Sequence, residues 1–108
     1  MAFTEQAHEN DIGTTFRVTV YDTNSDGTTT VADIQTATLK KMTFKKPNGD
    51  TFERVAVFTS DGSNGQIEYV SVEGDLTPAG NWQLQSYVQT PDGSWRTNSG
   101  SFKVYENL

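Results

Sequence analysis

Apolar and polar side chains alternate through "TTFRVTVYD", with Phe16, Val18 and Val20 on one side and Arg17, Thr19 and Tyr21 on the other. A period of two belongs to a strand with one buried face, and this is the first strand that the chain predicts. The alternation returns in "KMTFKKP", where Met42 and Phe44 oppose Thr43 and Lys45 until Pro47 ends the run. "PNGD" then supplies a turn, because Asn-Gly accepts the positive φ of a tight hairpin, and "TFERVAVF" returns from it. After the turn formers of "TSDGSNGQ" comes a fourth strand, "QIEYVSV". "EGDLTPAGN" reads as a connection. "WQLQSYVQ" follows with Trp82, Leu84, Ser86 and Val88 on one face and Gln83, Gln85, Tyr87 and Gln89 on a wet one. The Pro-Asp-Gly of "TPDGS" predicts a hairpin loop, and "SFKVYE" closes the chain with Phe102 and Val104 inward.

Two segments stand outside this pattern. Residues 1–13 are polar and without period, which predicts an arm ordered only where something else holds it, ahead of a domain over 14–108. "VADIQTATLKKM" fits either an amphipathic turn of helix, with Ile34 and Leu39 as its apolar residues, or a short strand followed by a kink. Its β-branched content and the strand beyond it favour irregular or strand structure. Six or seven short strands separated by turn signals predict an all-β fold, an antiparallel β-sandwich of about seven strands.

Composition agrees. A chain of 108 residues has room for one compact core, and 33% hydrophobic with 11% aromatic residues suits packed sheets better than a helical bundle. With 14 acidic against 8 basic residues, the formal charge of −6 argues against nucleic acid, whose phosphates call for Lys and Arg. There is no cysteine, so disulfides and thiolate metal sites are excluded. Neither a signal-like start nor an apolar run of membrane-spanning length occurs, so no membrane partner is expected.

One stretch carries metal-like spacing. In "DTNSDGTTTVAD", Asp22, Asn24 and Asp26 hold the first, third and fifth positions of a calcium loop, Gly27 the sixth and Asp33 the twelfth. A single copy without flanking helices is better read as a solvated turn between strands, so no cofactor is expected and calcium is the one cation the pattern would suit. Catalytic candidates are few. His8, the lone histidine, lies in the polar arm, and Glu73 and Asp75 bracket Gly74 where acidic residues commonly cap turns, so no catalytic residue is assigned.

Trp82 shares the parity of Leu84 and Val88, which predicts a core tryptophan. Trp95, next to Arg96 after the hairpin, is either a partner-binding anchor or one half of a cross-strand pair with Tyr87. Lys40 and Lys41 open a basic run that either is a solvated strand face or meets the acidic loops of a neighbouring subunit.

The ordered turns resemble a family. Lys46, Pro47, Asn48 and Gly49 match a strand-ending turn. Asp61, Gly62, Gly65, Ile67 and Tyr69 match an Asp-Gly loop with its Gly-x-Ile-x-Tyr strand. Leu76, Gly80, Trp82, Leu84 and Gln85 match a corner and strand, and Pro91, Asp92, Gly93, Phe102 and Val104 a closing hairpin. Over roughly residues 14 to 105 this is similar to the immunoglobulin-like domain of the baseplate upper proteins of tailed bacteriophages. The resemblance implies an immunoglobulin-like sandwich and a structural protein of the virion. It would be a baseplate or tail adaptor docking on a symmetric scaffold of other virion proteins, placed at the tail rather than the head. Full-length family members continue into a fibrous or receptor-protein-binding portion that this sequence does not include, which implies an adaptor or decoration module. The alternatives are a capsid decoration protein and a host-adhesion module that touches glycans through Trp95 and Tyr87.

Overall fold

The computed structural model describes residues 7–23, 25–97 and 100–107. They form eleven strands and no helix: β1 (Ala7–His8), β2 (Thr15–Thr19), β3 (Tyr21–Thr23), β4 (Thr29–Val31), β5 (Leu39–Lys45), β6 (Thr51–Val55), β7 (Val57–Phe58), β8 (Gln66–Val70), β9 (Gly80–Thr90), β10 (Gly93–Arg96) and β11 (Gly100–Tyr105). The larger sheet runs β1-β11-β9-β5-β6, with β10 also paired to β9; the smaller runs β2-β8-β7, and β3 and β4 make a hairpin of their own. All pairs are antiparallel except β1 with β11.

The alternating positions face a common core. Phe16 and Val18 of β2, Met42 and Phe44 of β5, Ile67 of β8, Trp82, Leu84 and Val88 of β9, and Phe102 and Val104 of β11 are all buried. The two sheets meet through rings: Phe16 lies 5.3 Å from Phe44 and 4.9 Å from Phe102, and Phe44 lies 5.9 Å from Tyr69. Trp82 is fully buried, 6.0 Å from Phe52 and 5.8 Å from Phe102, and its indole N–H donates to the Pro78 carbonyl at 3.0 Å. Burying such a ring requires that donor to be paired.

The strand count exceeds the expected seven for physical reasons. The run read as one strand at Thr51–Phe58 breaks at buried Ala56: β6 pairs with β5 in one sheet and β7 with β8 in the other, so the chain changes sheets there. Likewise, Val20 leaves the β2 ladder to bond the Gly65 carbonyl at 2.8 Å, which separates β2 from β3. The ambiguous segment after Val31 contains no helix; Ala32 and Ile34 are buried, their amides bonded to Val20 and Gly62 carbonyls, before β5 begins.

Residues 7–13, expected as part of a polar arm, are tied down. Ala7 is buried in β1, and the Glu9, Asn10 and Gly13 amides donate to the Tyr105, Leu76 and Ser71 carbonyls. Residues 1–6 of that segment lie outside the described residues.

Candidate functional site

Strand parity sorts the candidate residues. On β9, Tyr87 stands opposite Lys41 of β5 on one side and Arg96 of β10 on the other, so all three share the outer face of the larger sheet. The Arg96 guanidinium lies 4.6 Å from the Tyr87 ring centroid and the Lys41 ammonium 5.6 Å, within reach for attraction by the ring's negative face. Lys41 also pairs with Glu53 of β6. Tyr87 is thus half-buried between two cations, on a chain of net charge −6.

Trp95 does not join them. It pairs with Val88, not Tyr87, and its ring turns to the opposite face, where it packs partly buried against the hydrophobic core. The cross-strand Trp95–Tyr87 pair is therefore absent, because adjacent positions on a strand point to opposite faces. Lys40 is separated from Lys41 for the same reason: it lies with the inward parity of Met42, its ammonium 4.3 Å from the Phe58 ring centroid.

The charge of the larger sheet differs from that of the whole chain. Among the described residues its strands carry Lys40, Lys41, Lys45, Arg54, Arg96 and Lys103 against the single carboxylate Glu53. Most carboxylates lie instead in turns and connections, Asp50 and Asp92 in the larger sheet's own hairpin turns and Asp22, Asp26, Asp33 and Asp61 in the β3–β4 hairpin and nearby loops. Asp26 accepts from the Thr28 amide at 3.0 Å and hydroxyl at 2.6 Å, Asp33 from the Gln35 amide at 3.1 Å, and Asp61 from the Ser63 amide at 2.9 Å. Bonds from the Thr28 and Ser63 side chains, then their backbone amides, hold the Asp26 and Asp61 carboxyls below the usual carboxylate range.

Asp22 is exposed on β3 opposite Thr30, and Asn24 lies outside the described residues. Among the described residues no three His, Asp or Glu side chains converge as metal ligands would. His8 is exposed beside Tyr105, with ring centroids 5.7 Å apart.

One polar cluster is not marked by any motif in the sequence. Asp75, read from sequence as a turn cap, is only 3% exposed. Its Oδ1 accepts from Arg54 Nε at 3.2 Å and Nη2 at 2.8 Å, while Oδ2 accepts from the Tyr69 hydroxyl and from the Val72 amide at 3.0 Å. Burial alone would raise the Asp75 carboxyl, but the bonds from Tyr69, Val72 and Arg54 outweigh it and leave the group below its ordinary value. Burial, then the Asp75 carboxylate, pushes the Tyr69 phenol up. With every carboxylate lone pair directed at a donor and Arg54 locked, the cluster fastens β6, β8 and the connection after β8 together. The only legible signal was Arg54 on the inward parity of Phe52, where an arginine calls for an acid.

The chain matches no known protein-family profile and no curated protein. Below the Lys41–Tyr87–Arg96 group, Thr43, Lys45, Thr51, Gln83 and Gln85 line a shallow depression of about 290 Å³. Lys45 and Gln83 also line a second one of about 250 Å³, together with Lys46, Pro47, Asn81 and Ser101.

Proposed function

We propose that this chain is a non-catalytic structural module of a tailed-phage particle: an immunoglobulin-like β-sandwich that docks on a symmetric multimeric scaffold in the baseplate or tail. The observation that carries the docking role is the Lys41–Tyr87–Arg96 group on an outer sheet face. An aromatic ring held between two cations has little side-chain entropy left to lose on binding, and Tyr and Arg are the residue types that dominate binding energy in interfaces. The basic face on an acidic chain favours neighbours with acidic surfaces, and repetition by symmetry multiplies weak contacts into stable attachment. The phage assignment is supported by the turn and core motifs that resemble baseplate upper proteins.

Immunogold electron microscopy of purified particles, with antibody raised against this chain, tests the assignment. Label at the tail tip is the expected result. Label over the head would make the protein a capsid decoration module, and unlabelled particles would refute a virion role. Incorporation of a Tyr87→Ala/Arg96→Ala double variant tests the face: attachment falls at least tenfold if the group docks, and unchanged attachment places the contact elsewhere.

A further inference from the structure

The lower half of the same sheet face has a different chemistry from the Tyr87 group. Asn81, Gln83 and Gln85 of β9 point outward in succession. They are flanked by Thr43 and Lys45 of β5, Thr51 of β6 and Ser101 of β11. The two depressions share Lys45 and Gln83, so they form one trough crossing four strands, about 14 Å at the usual strand spacing. Among the described residues Lys45 has no carboxylate within ion-pair distance, whereas Lys41, two repeats of the pleat away on the same face, is held by Glu53.

We propose that this trough binds an acidic polysaccharide built of uronate sugars, with the Lys45 ammonium meeting a ring carboxylate and the Asn81, Gln83 and Gln85 amides meeting ring hydroxyls. The lining decides the class. Protein interfaces have an apolar centre with a polar rim, and this surface has amides and hydroxyls at its centre. A side-chain amide offers two donors and an acceptor, which suits the paired donor and acceptor character of adjacent hydroxyls; Gln85 already gives one N–H to the Thr97 carbonyl at 2.9 Å, which leaves its oxygen and second N–H for a ligand. Lys45, with Lys46 beside it at one end of the trough, spaces its cations among neutral hydrogen-bonding groups, which matches a chain of rings with one charge on each. A phosphate or sulfate polymer would call for Arg forks or clustered backbone amides. The inference does not depend on a place in a phage particle, and the glycan contact it names differs from Trp95, which faces the core.

Backbone-amide NMR titration of the intact chain with trigalacturonate tests it, with a neutral glucose trisaccharide and triglutamate as comparison ligands. The expected result is saturable perturbation at Lys45, Asn81, Gln83, Gln85 and Ser101, absent with the neutral sugar. Lys45→Gln should weaken affinity about tenfold, the effect of one charge-assisted contact, while Arg17→Gln on the other sheet leaves it unchanged. No perturbation of the trough by trigalacturonate overturns the proposal. Equal affinity for triglutamate overturns it too, because the face would then read acidic protein. Because Lys45 is exposed, an unchanged amide spectrum elsewhere shows that the variant is folded.

Discussion

The Arg54 guanidinium on the inner edge of β6 donates twice to one carboxylate oxygen of Asp75, at 3.2 and 2.8 Å, across the gap between the two sheets. The other oxygen is held by Tyr69 on β8 and by the Val72 amide. One carboxylate thus joins a strand of each sheet to the connection that leads into β9. Rings fill the core between the sheets, and this ionic group closes it at the β6 edge.

Replacing Asp75 by Asn should therefore lower stability by about 2 kcal/mol, the worth of charge-assisted hydrogen bonds with a partly exposed partner, and lower Tm by about 10 °C. Arg17→Gln, which breaks the exposed pair with Glu68 at 3.3 Å, should change stability by less than about 0.5 kcal/mol. Thermal denaturation of the two variants checks both.

The same carboxylate sets an acid limit. Its folded pKa lies below the unfolded value of about 3.9, so its stabilisation is complete above that pH and is lost as pH falls through the lower folded value. Wild-type Tm should drop more steeply than that of Asp75→Asn as pH is lowered from about 5 to 2. Parallel slopes in that window would remove Asp75 as the cause.

Gly65 has φ +69°, and a Cβ there would meet Val31 Cγ1 at 2.6 Å and the Val20 and Ala32 carbonyl oxygens at 2.8 and 2.9 Å. Two of the three neighbours are backbone that also carries the Val20–Gly65 and Ala32–Val20 hydrogen bonds. Gly65→Ala should destabilise by about 2 kcal/mol or more, from left-handed strain and the forced shift. Gly27, at φ +89° with open space around it, bears only the strain and should cost less. Urea denaturation of the two variants ranks them.

Trp95 and Arg96 are neighbours in sequence with opposite roles. Trp95→Ala removes core packing and should cost about 2 to 3 kcal/mol. Arg96→Ala removes only an outer-face contact with Tyr87 and should stay within about 0.5 kcal/mol. Equal losses in chemical denaturation would contradict the assigned faces.

Calcium should leave Tm unchanged and give no heat in calorimetric titration. The Asp26 and Asp33 carboxylates each bind their own turn, and Asp22 stands apart on β3. Saturable heat lost on Asp22→Ala would reverse this.

Much of the core was legible in one dimension. The alternation of Phe16 with Val18, Met42 with Phe44, and Trp82 through Val88 named the buried faces, because a strand's side-chain period is two whatever its partners. Turn chemistry was equally local: Asn48 and Gly49 act through their own backbone, where the Asp50 amide bonds Asn48 Oδ1 at 2.9 Å and Gly49 sits at φ +95°. Parity also implied that Trp95 and Tyr87 would fall on different faces once the register was set, but the register itself was not readable.

Pairing across the chain lay beyond sequence. Arg54 and Asp75 are separated by 21 residues, and Lys41 and Tyr87 meet only because β5 lies beside β9 in one particular register. Alternation tells a strand which side is wet; it carries no information about which strand is next to it. The sequence by itself determined an all-β chain, its inward residues and its turns. Tertiary structure alone decided where β6 hands over to β7, what buries the Asp75 charge, and that Lys41, Tyr87, Arg96 and the Lys45 trough share one outer face. Those outcomes depend on contacts between distant segments, whose free energy is realised only when the sheets assemble.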